Sequence, residues 1–308
     1  MHKHLTIPLT CLVLSACSTS PQYEVSSFYD YQLFTPDAKP ISLTQLPNKV
    51  KHADVILIGE WHTHSGIHRF QTELLKMLIS QDQNIALSME QFSRDHQDVV
   101  DQYLAGEIGE QTLIKETNTW PNYESDYRPL IELAKANQID VIAANAPKPI
   151  VRCIGRHGIH YLDELPPEQR SNVARQVNTG SSPYKDKFMA SMHHGKPEQT
   201  EKQFAAQITW DETMAESITR YLDKNPATQV LHIAGKFHIE QGLGTKASIL
   251  LRRPELKVIV ITPTGEIVSD SEDYQLQVLN PPVRYVQREN RMKAYHSLAK
   301  RNEDLSCL

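Results

Sequence analysis

Five short apolar runs restrict what this chain can fold into: DVILI at Asp54–Ile58, IALSM at Ile85–Met89, IDVIAA at Ile139–Ala144, QVLHIA at Gln229–Ala234 and KVIVIT at Lys257–Thr262. Each is rich in β-branched or small apolar residues and does not alternate with polar ones. Continuous apolar runs of strand length suit strands buried on both faces, and hence a parallel sheet. Helical patterns lie between the runs. Phe70, Leu74, Leu75, Met77 and Leu78 share one face; Leu130, Ile131, Leu133 and Ala134 mark a second helix; Met214, Ile218, Tyr221 and Leu222 mark a third. Strands alternating with helices predict an α/β class, with a mostly parallel sheet flanked by helices. No strand run occurs between Pro147 and about Asn225. That section, about 148–225, reads as an inserted helical subdomain over the carboxyl edge of the sheet, where α/β sites lie.

Both ends read differently from this domain, which spans about 51–290. Residues 1–16, MHKHLTIPLTCLVLSA, have a basic start and a short apolar stretch. This is the pattern of a secretory signal, too short to span a bilayer as a stable helix. It ends in Leu14-Ser15-Ala16-Cys17, which resembles the bacterial lipobox. That resemblance implies a lipoprotein acylated on Cys17, palmitate included, and anchored in the outer membrane, since Ser18 rather than aspartate follows. Residues 17–50 are polar and proline-containing and are expected to be a lipidated tether. Residues 291–308 are expected to be a tail. Cys153 and Cys307 can bridge in an oxidising compartment. The net charge of −5 provides no global positive field, so no nucleic-acid partner is expected.

The candidate chemistry gathers where apolar runs end. The first run leads into GEWHTHSGIHRFQ, which sets Glu60, His62, His64 and His68 close together. The fourth leads into GKFH, ending at His238. Both are strand, then Gly-x-x-His, and glycine permits a sharp exit from a strand. The second run ends at Glu90, a carboxylate that is costly beside buried apolar residues unless paired or metal-bound. If their strands are neighbours, Glu60, His62, Glu90 and His238 share one crevice, supported by His68. Imidazole and carboxylate are ligands for a divalent metal. The same residues also fit a polar turn that binds nothing. Trp210 and Asp211 read as packing or orienting residues on a helix. No GxSxG elbow and no phosphate-binding glycine loop are present.

The order of GExHxxxxxHxxQ at Gly59–Gln71, YRPL at Tyr127–Leu130, AANAP at Ala143–Pro147, WDETMA at Trp210–Ala215 and IAGKFH at Ile233–His238 resembles the ChaN-type haem-binding lipoproteins. They belong with the Tiki and TraB proteins and are similar to erythromycin esterases; several members of that superfamily are metal-dependent hydrolases. His64 is outside the pattern. The resemblance implies haem as cofactor, a homodimer holding it between protomers, and a part in haem and iron acquisition with an outer-membrane haem receptor. The alternative it implies is a metal-dependent hydrolase of esterase or peptidase type. Haem needs an apolar slot, an axial ligand and cations for its propionates. In SPYKDKFMASMHHGK, Tyr184 is the favoured ligand, with His193 or His194 as alternatives and Lys185, Lys187 and Lys196 as cations. Tyr127 and Tyr161 are further tyrosines in reach.

Overall fold

The computed structural model describes residues 24–81, 84–192, 196–300 and 306–307, with side chains described to 297 in the last helix. Eight strands form one sheet: β1 (Gln32–Phe34), β2 (Pro40–Ile41), β3 (Val55–Glu60), β4 (Ile85–Ser93), β5 (Val141–Asn145), β6 (Gln229–Gly235), β7 (Val258–Thr264) and β8 (Tyr274–Gln277). Their order is β2-β1-β8-β7-β3-β6-β4-β5. Every pairing from β8 to β5 is parallel; β1 joins β8, and β2 joins β1, antiparallel. The five apolar runs are β3 to β7, and the α/β class with a mostly parallel sheet is what the sequence predicts.

The central strands are buried along their whole length, as continuous apolar runs require. Alternate side chains enter two cores. Ile56, Ile58, Leu87, Met89, Leu231 and Ile233 meet the helices Ser65–Ile79 and Arg128–Ala136. Val55, Leu57, Ala86, Val230, Ala234 and Val260 meet the helices Pro197–Lys224 and Thr245–Arg252. In Ser65–Ile79, Ile67, Phe70, Gln71, Leu74, Leu75 and Leu78 are buried at helical spacing.

Between β5 and β6 the regular elements among the described residues are all helices, from Lys148–His157 through Pro183–Ser191 to the long helix Pro197–Lys224. The second half of that long helix is itself a layer on the sheet: Met214, Ala215, Ile218 and Leu222 lie in the second core. The tether expected over 17–50 departs from the structure over its described part. Leu33 and Phe34 are buried in β1, because β8 offers them a sheet edge that no local pattern announces. The chain's end is fastened as well: Cys307 is disulfide-bonded to Cys153 on the helix Lys148–His157. Between them the helix Arg288–Lys300 is mostly exposed over residues 288–297. The signal segment and Cys17 lie outside the described residues, as do His193 and His194.

Candidate functional site

Strand order decides which sequence candidates meet. β6 lies between β3 and β4, so three adjacent strands end side by side, with Glu60 in register with Gly235. Their carboxyl ends deliver Glu60, Glu90 and the turn carrying His238 to one edge, where ligands bind in open α/β sheets. The register of β4 against β5 shifts between Met89 and Ser93, the kind of irregularity that re-aims side chains. Glu90 and Gln91 both line the resulting crevice, which encloses about 720 Å³. Its walls include His62, Trp120, Pro121, Asn145, Pro147 and Trp210, with His238 in the same lining.

Glu60 is buried at 2% exposure and held by four donors. The Tyr127 hydroxyl donates at 2.5 Å, Gln71 Nε2 at 2.7 Å, His62 Nδ1 at 3.0 Å and Gln91 Nε2 at 3.1 Å. Burial pushes its carboxyl up, but the His62 bond, the His68 and His62 charges and the Tyr127 bond outweigh burial and hold it below the ordinary carboxylate value. His62 is the open member of the pair, its side chain about half exposed and its ring edge-on to Trp120 at 4.8 Å. Burial lowers this imidazole, while the Glu60 bond and the Glu90 and Glu60 charges raise it further, so it sits above the ordinary histidine value. Its carbonyl accepts from Asn122 Nδ2 at 2.6 Å and faces His68 Nε2 at 3.1 Å.

His68 stands behind the pair. Its Nδ1 is 2.9 Å from Gln71 Oε1, and Gln71 in turn donates to Glu60. His64 is elsewhere: its Nε2 donates to the Leu279 carbonyl at 2.9 Å, and its ring packs against Phe28 and Trp61. It pins the segment after β8 and does not reach the crevice.

The second imidazole has its own carboxylate. His238 Nδ1 is 2.9 Å from Asp211 Oδ2, and its Nε2 is 3.7 Å from Glu90 Oε1. Burial lowers His238, but the Asp211 and Glu90 charges prevail and it is pushed up to about 9. Glu90 Oε2 accepts the Gly235 backbone N–H at 2.6 Å. A Cβ at Gly235 would stand 2.8 Å from His62 Cε1 and 3.0 Å from His62 Nε2, so only glycine leaves room for this ring.

Tyr184 is in neither the crevice nor an open slot. It is 1% exposed, packs against Phe204 and Phe237, and donates its hydroxyl proton to Asp211 Oδ2 at 2.8 Å. Burial and the Asp211 charge push that hydroxyl well above the ordinary tyrosine value. In this arrangement Tyr184 positions Asp211, and through it His238, and does not present its oxygen to a ligand. Tyr127, likewise, is buried on Glu60. A divalent metal finds no ligand set either: among the described residues no three His, Cys, Asp or Glu side chains gather to hold an ion. The carboxylates are instead directed at the imidazoles and at donors of their own.

Sequence reasoning quoted Gln71 within its motif without assigning it a role, and missed Gln91, Gln207 and the bond of Tyr127 to Glu60. Gln207 Nε2 donates to the Tyr184 oxygen at 3.0 Å and lies 3.1 Å from His238 Nδ1. For Gln71 a signal existed, because it interrupts the apolar stripe of its own helix.

Comparison with known proteins agrees with this architecture. The family model described as haem-binding uptake, Tiki superfamily, ChaN matches residues 46–249. The solved structure of ChaN from Campylobacter jejuni, reported with cofacially bound haem, superposes with a TM-score of 0.64 at 20% identity, over 82% of this chain and 98% of that one. The chloroplastic protein RETICULATA-RELATED 5 of Arabidopsis thaliana is 24% identical over 201 residues. That match takes in 61% of this chain but 27% of the plant protein, so the chain spans about a quarter of that relative's length. With its β3–β6–β4 edge and a family match from residue 46 to residue 249, the chain belongs to the ChaN family of haem-binding uptake proteins in the Tiki superfamily.

Proposed function

We propose that this protein binds haem as cargo and takes part in haem acquisition as a lipid-anchored, dimeric protein of the bacterial outer membrane, handing haem to or receiving it from an outer-membrane receptor. The observation that carries the reading is the family match over residues 46–249. The lipobox ending at Cys17 supports the anchor. Among the described residues no helix is long and apolar enough to cross a membrane.

Two of haem's three needs have candidates among the described residues. Phe237, Met189, Met192 and Leu243 are partly buried and pack on the cluster of Tyr184, Phe188, Phe204 and Ile208, the apolar surface proposed for the macrocycle. Lys236, its ammonium 5.6 Å over the Trp61 ring and paired with Glu240, is the cation proposed for a propionate; the Lys187 ammonium is buried beside Glu240 under the Phe237 ring. The third need, an axial ligand, falls to His193 or His194, which follow Met192 directly in sequence. A second copy of the chain would cover the other side of a flat ligand held there, as the proposed dimer requires.

The test is a titration of the full chain in detergent with haemin. A saturable Soret shift is expected, retained in Tyr184→Phe and recoloured or weakened when His193 and His194 are both changed to Ala. Absence of a saturable shift at micromolar haemin rejects haem binding. A shift lost in Tyr184→Phe and retained without the two histidines returns the ligand to Tyr184.

A further inference from the structure

The segment after β8 belongs neither to the crevice nor to the apolar surface proposed for haem. Every described residue from Pro281 to Ser297 is exposed except the partly buried Ala294, and none joins a core cluster. The helix Arg288–Lys300 begins here and has thirteen residues. A helix of that length without a packed face is marginal in water, so this one gains from a surface to lie on. The segment is fastened at both ends. His64 Nε2 donates to the Leu279 carbonyl at 2.9 Å, and Cys307 is bonded to Cys153.

Charge and apolar surface both gather on this arm. Arg284, Arg288, Arg291 and Lys293 stand against one acid, Glu289, in a chain whose net charge is −5. None of the four pairs with a carboxylate among the described residues. Arg288, Arg291, Met292 and Tyr295 are at helical spacing and share a face. Nine large apolar side chains are exposed among the described residues, and five of them are Val283, Tyr285, Val286, Met292 and Tyr295.

The arm also starts beside the chain's entry into the domain. Two more of those nine, Phe28 and Tyr29, are there. The His64 ring that holds Leu279 packs on Phe28, with centroids 5.0 Å apart. The entry is seated on the helix Ser65–Ile79: a Cβ at Gly66 would stand 2.7 Å from the Asp30 carbonyl oxygen, and Arg69 donates to the Tyr29 carbonyl at 3.3 Å. Cys17 precedes Glu24 by seven residues. That length of chain reaches at most about 25 Å, so an acylated Cys17 keeps His64 and the start of the arm near the bilayer.

We propose that the arm is a second membrane contact, in which Arg284, Arg288, Arg291 and Lys293 bind anionic phospholipid headgroups. For its placement this rests on the lipid-anchored reading. Each basic residue near an anionic surface gains about fivefold in partitioning. Tyrosine, with an apolar body and a polar tip, suits the headgroup boundary. The arm orients the domain and does not anchor it, because a basic patch without an acyl chain binds reversibly. A chain carrying Cys17→Ser therefore still leaves membranes on fractionation. An acidic protein partner would answer the four cations but not their position beside the anchor.

Vesicle co-sedimentation decides it. The chain from position 17 onward, carrying Cys17→Ser, keeps every described residue and lacks the acyl groups. It is mixed with vesicles of phosphatidylcholine, or of phosphatidylcholine and phosphatidylglycerol in equal parts. Binding to the mixed vesicles is expected, weakening as salt is added, with little binding to phosphatidylcholine alone. Arg288→Gln with Arg291→Gln should weaken it roughly 25-fold. Both side chains are exposed, so the fold is kept, and an unchanged denaturation midpoint checks this. Equal binding to the two vesicles, or binding unchanged in the double variant, overturns the proposal. No binding to either also overturns it and leaves the arm to an acidic protein partner. The anchor fails separately: absent headgroup binding with Cys17-dependent fractionation rejects the arm alone, whereas headgroup binding with fractionation indifferent to Cys17 supports the arm and removes the anchor.

Discussion

Asp211→Asn probes the buried end of the site. Asp211 is fully buried on the long helix and accepts from the Tyr184 and Thr245 hydroxyls, each at 2.8 Å, and from His238 Nδ1 at 2.9 Å. Asparagine keeps the shape and one oxygen but removes the charge. His238 is raised from 6.5 to about 9 against the opposing effect of burial, with the Asp211 charge the largest cause of the rise. Each tenfold in proton affinity is about 1.4 kcal/mol, so the rise corresponds to roughly 3 kcal/mol of stability linked to protonated His238. The sign follows from the direction. The folded state binds this proton more tightly than the unfolded chain does, so the contribution is full below about 6.5 and is lost as pH rises through about 9. In Asp211→Asn the largest charge raising His238 is gone and only Glu90 still raises it against burial, so the variant loses most of this contribution.

The assay is chemical denaturation of both proteins at about pH 6 and about pH 10. The wild type should exceed the variant by roughly 3 kcal/mol more at the lower pH, and the gap should narrow between the two. Comparing the gap across pH cancels whatever the asparagine does to Tyr184 and Thr245. The His238 ring resonance, followed by NMR, should titrate near 9 in the wild type and at lower pH in the variant. A stability gap that stays constant from about pH 6 to about pH 10 would refute the reasoning, because it would mean His238 is not held charged by Asp211.

Leu33→Ala should cost about 2–5 kcal/mol in the same denaturation assay, since it empties a buried position in β1; a loss near zero would mean that the segment is a tether after all. Cys17→Ser should move the protein from the membrane fraction to the soluble fraction, and continued sedimentation with outer membranes would reject lipid anchoring. The haemin titration described above completes the set.

How much of this was legible beforehand depended on which element carried the residue. β3 to β7 were readable because strands buried on both faces have to be apolar throughout. β1, β2 and β8 read QLF, PI and YQLQ, short edge segments whose polar residues carry no periodic signal and whose partners lie far away in sequence. Glu60, Glu90 and His238 stood out because each ends or closely follows an apolar run, where a charge is costly. Asp211 was readable as a packing or orienting residue on its helix, but what it orients was not: only tertiary packing brings Tyr184, Thr245 and His238 around it.

Tyr184 shows the same limit from the other side. Its neighbourhood in sequence, aromatic and methionine side chains among lysines and followed by two histidines, fits a haem slot. Its neighbourhood in space is Asp211, Gln207, Phe204 and Phe237. A tyrosine whose proton is held by a buried carboxylate is a poor iron ligand until that bond is broken, because the phenolate it must become would face the Asp211 charge across 2.8 Å. The same bond helps keep the Asp211 oxygen in place beside His238. Using Tyr184 for haem would therefore loosen the crevice, which favours the proposed ligation by His193 or His194.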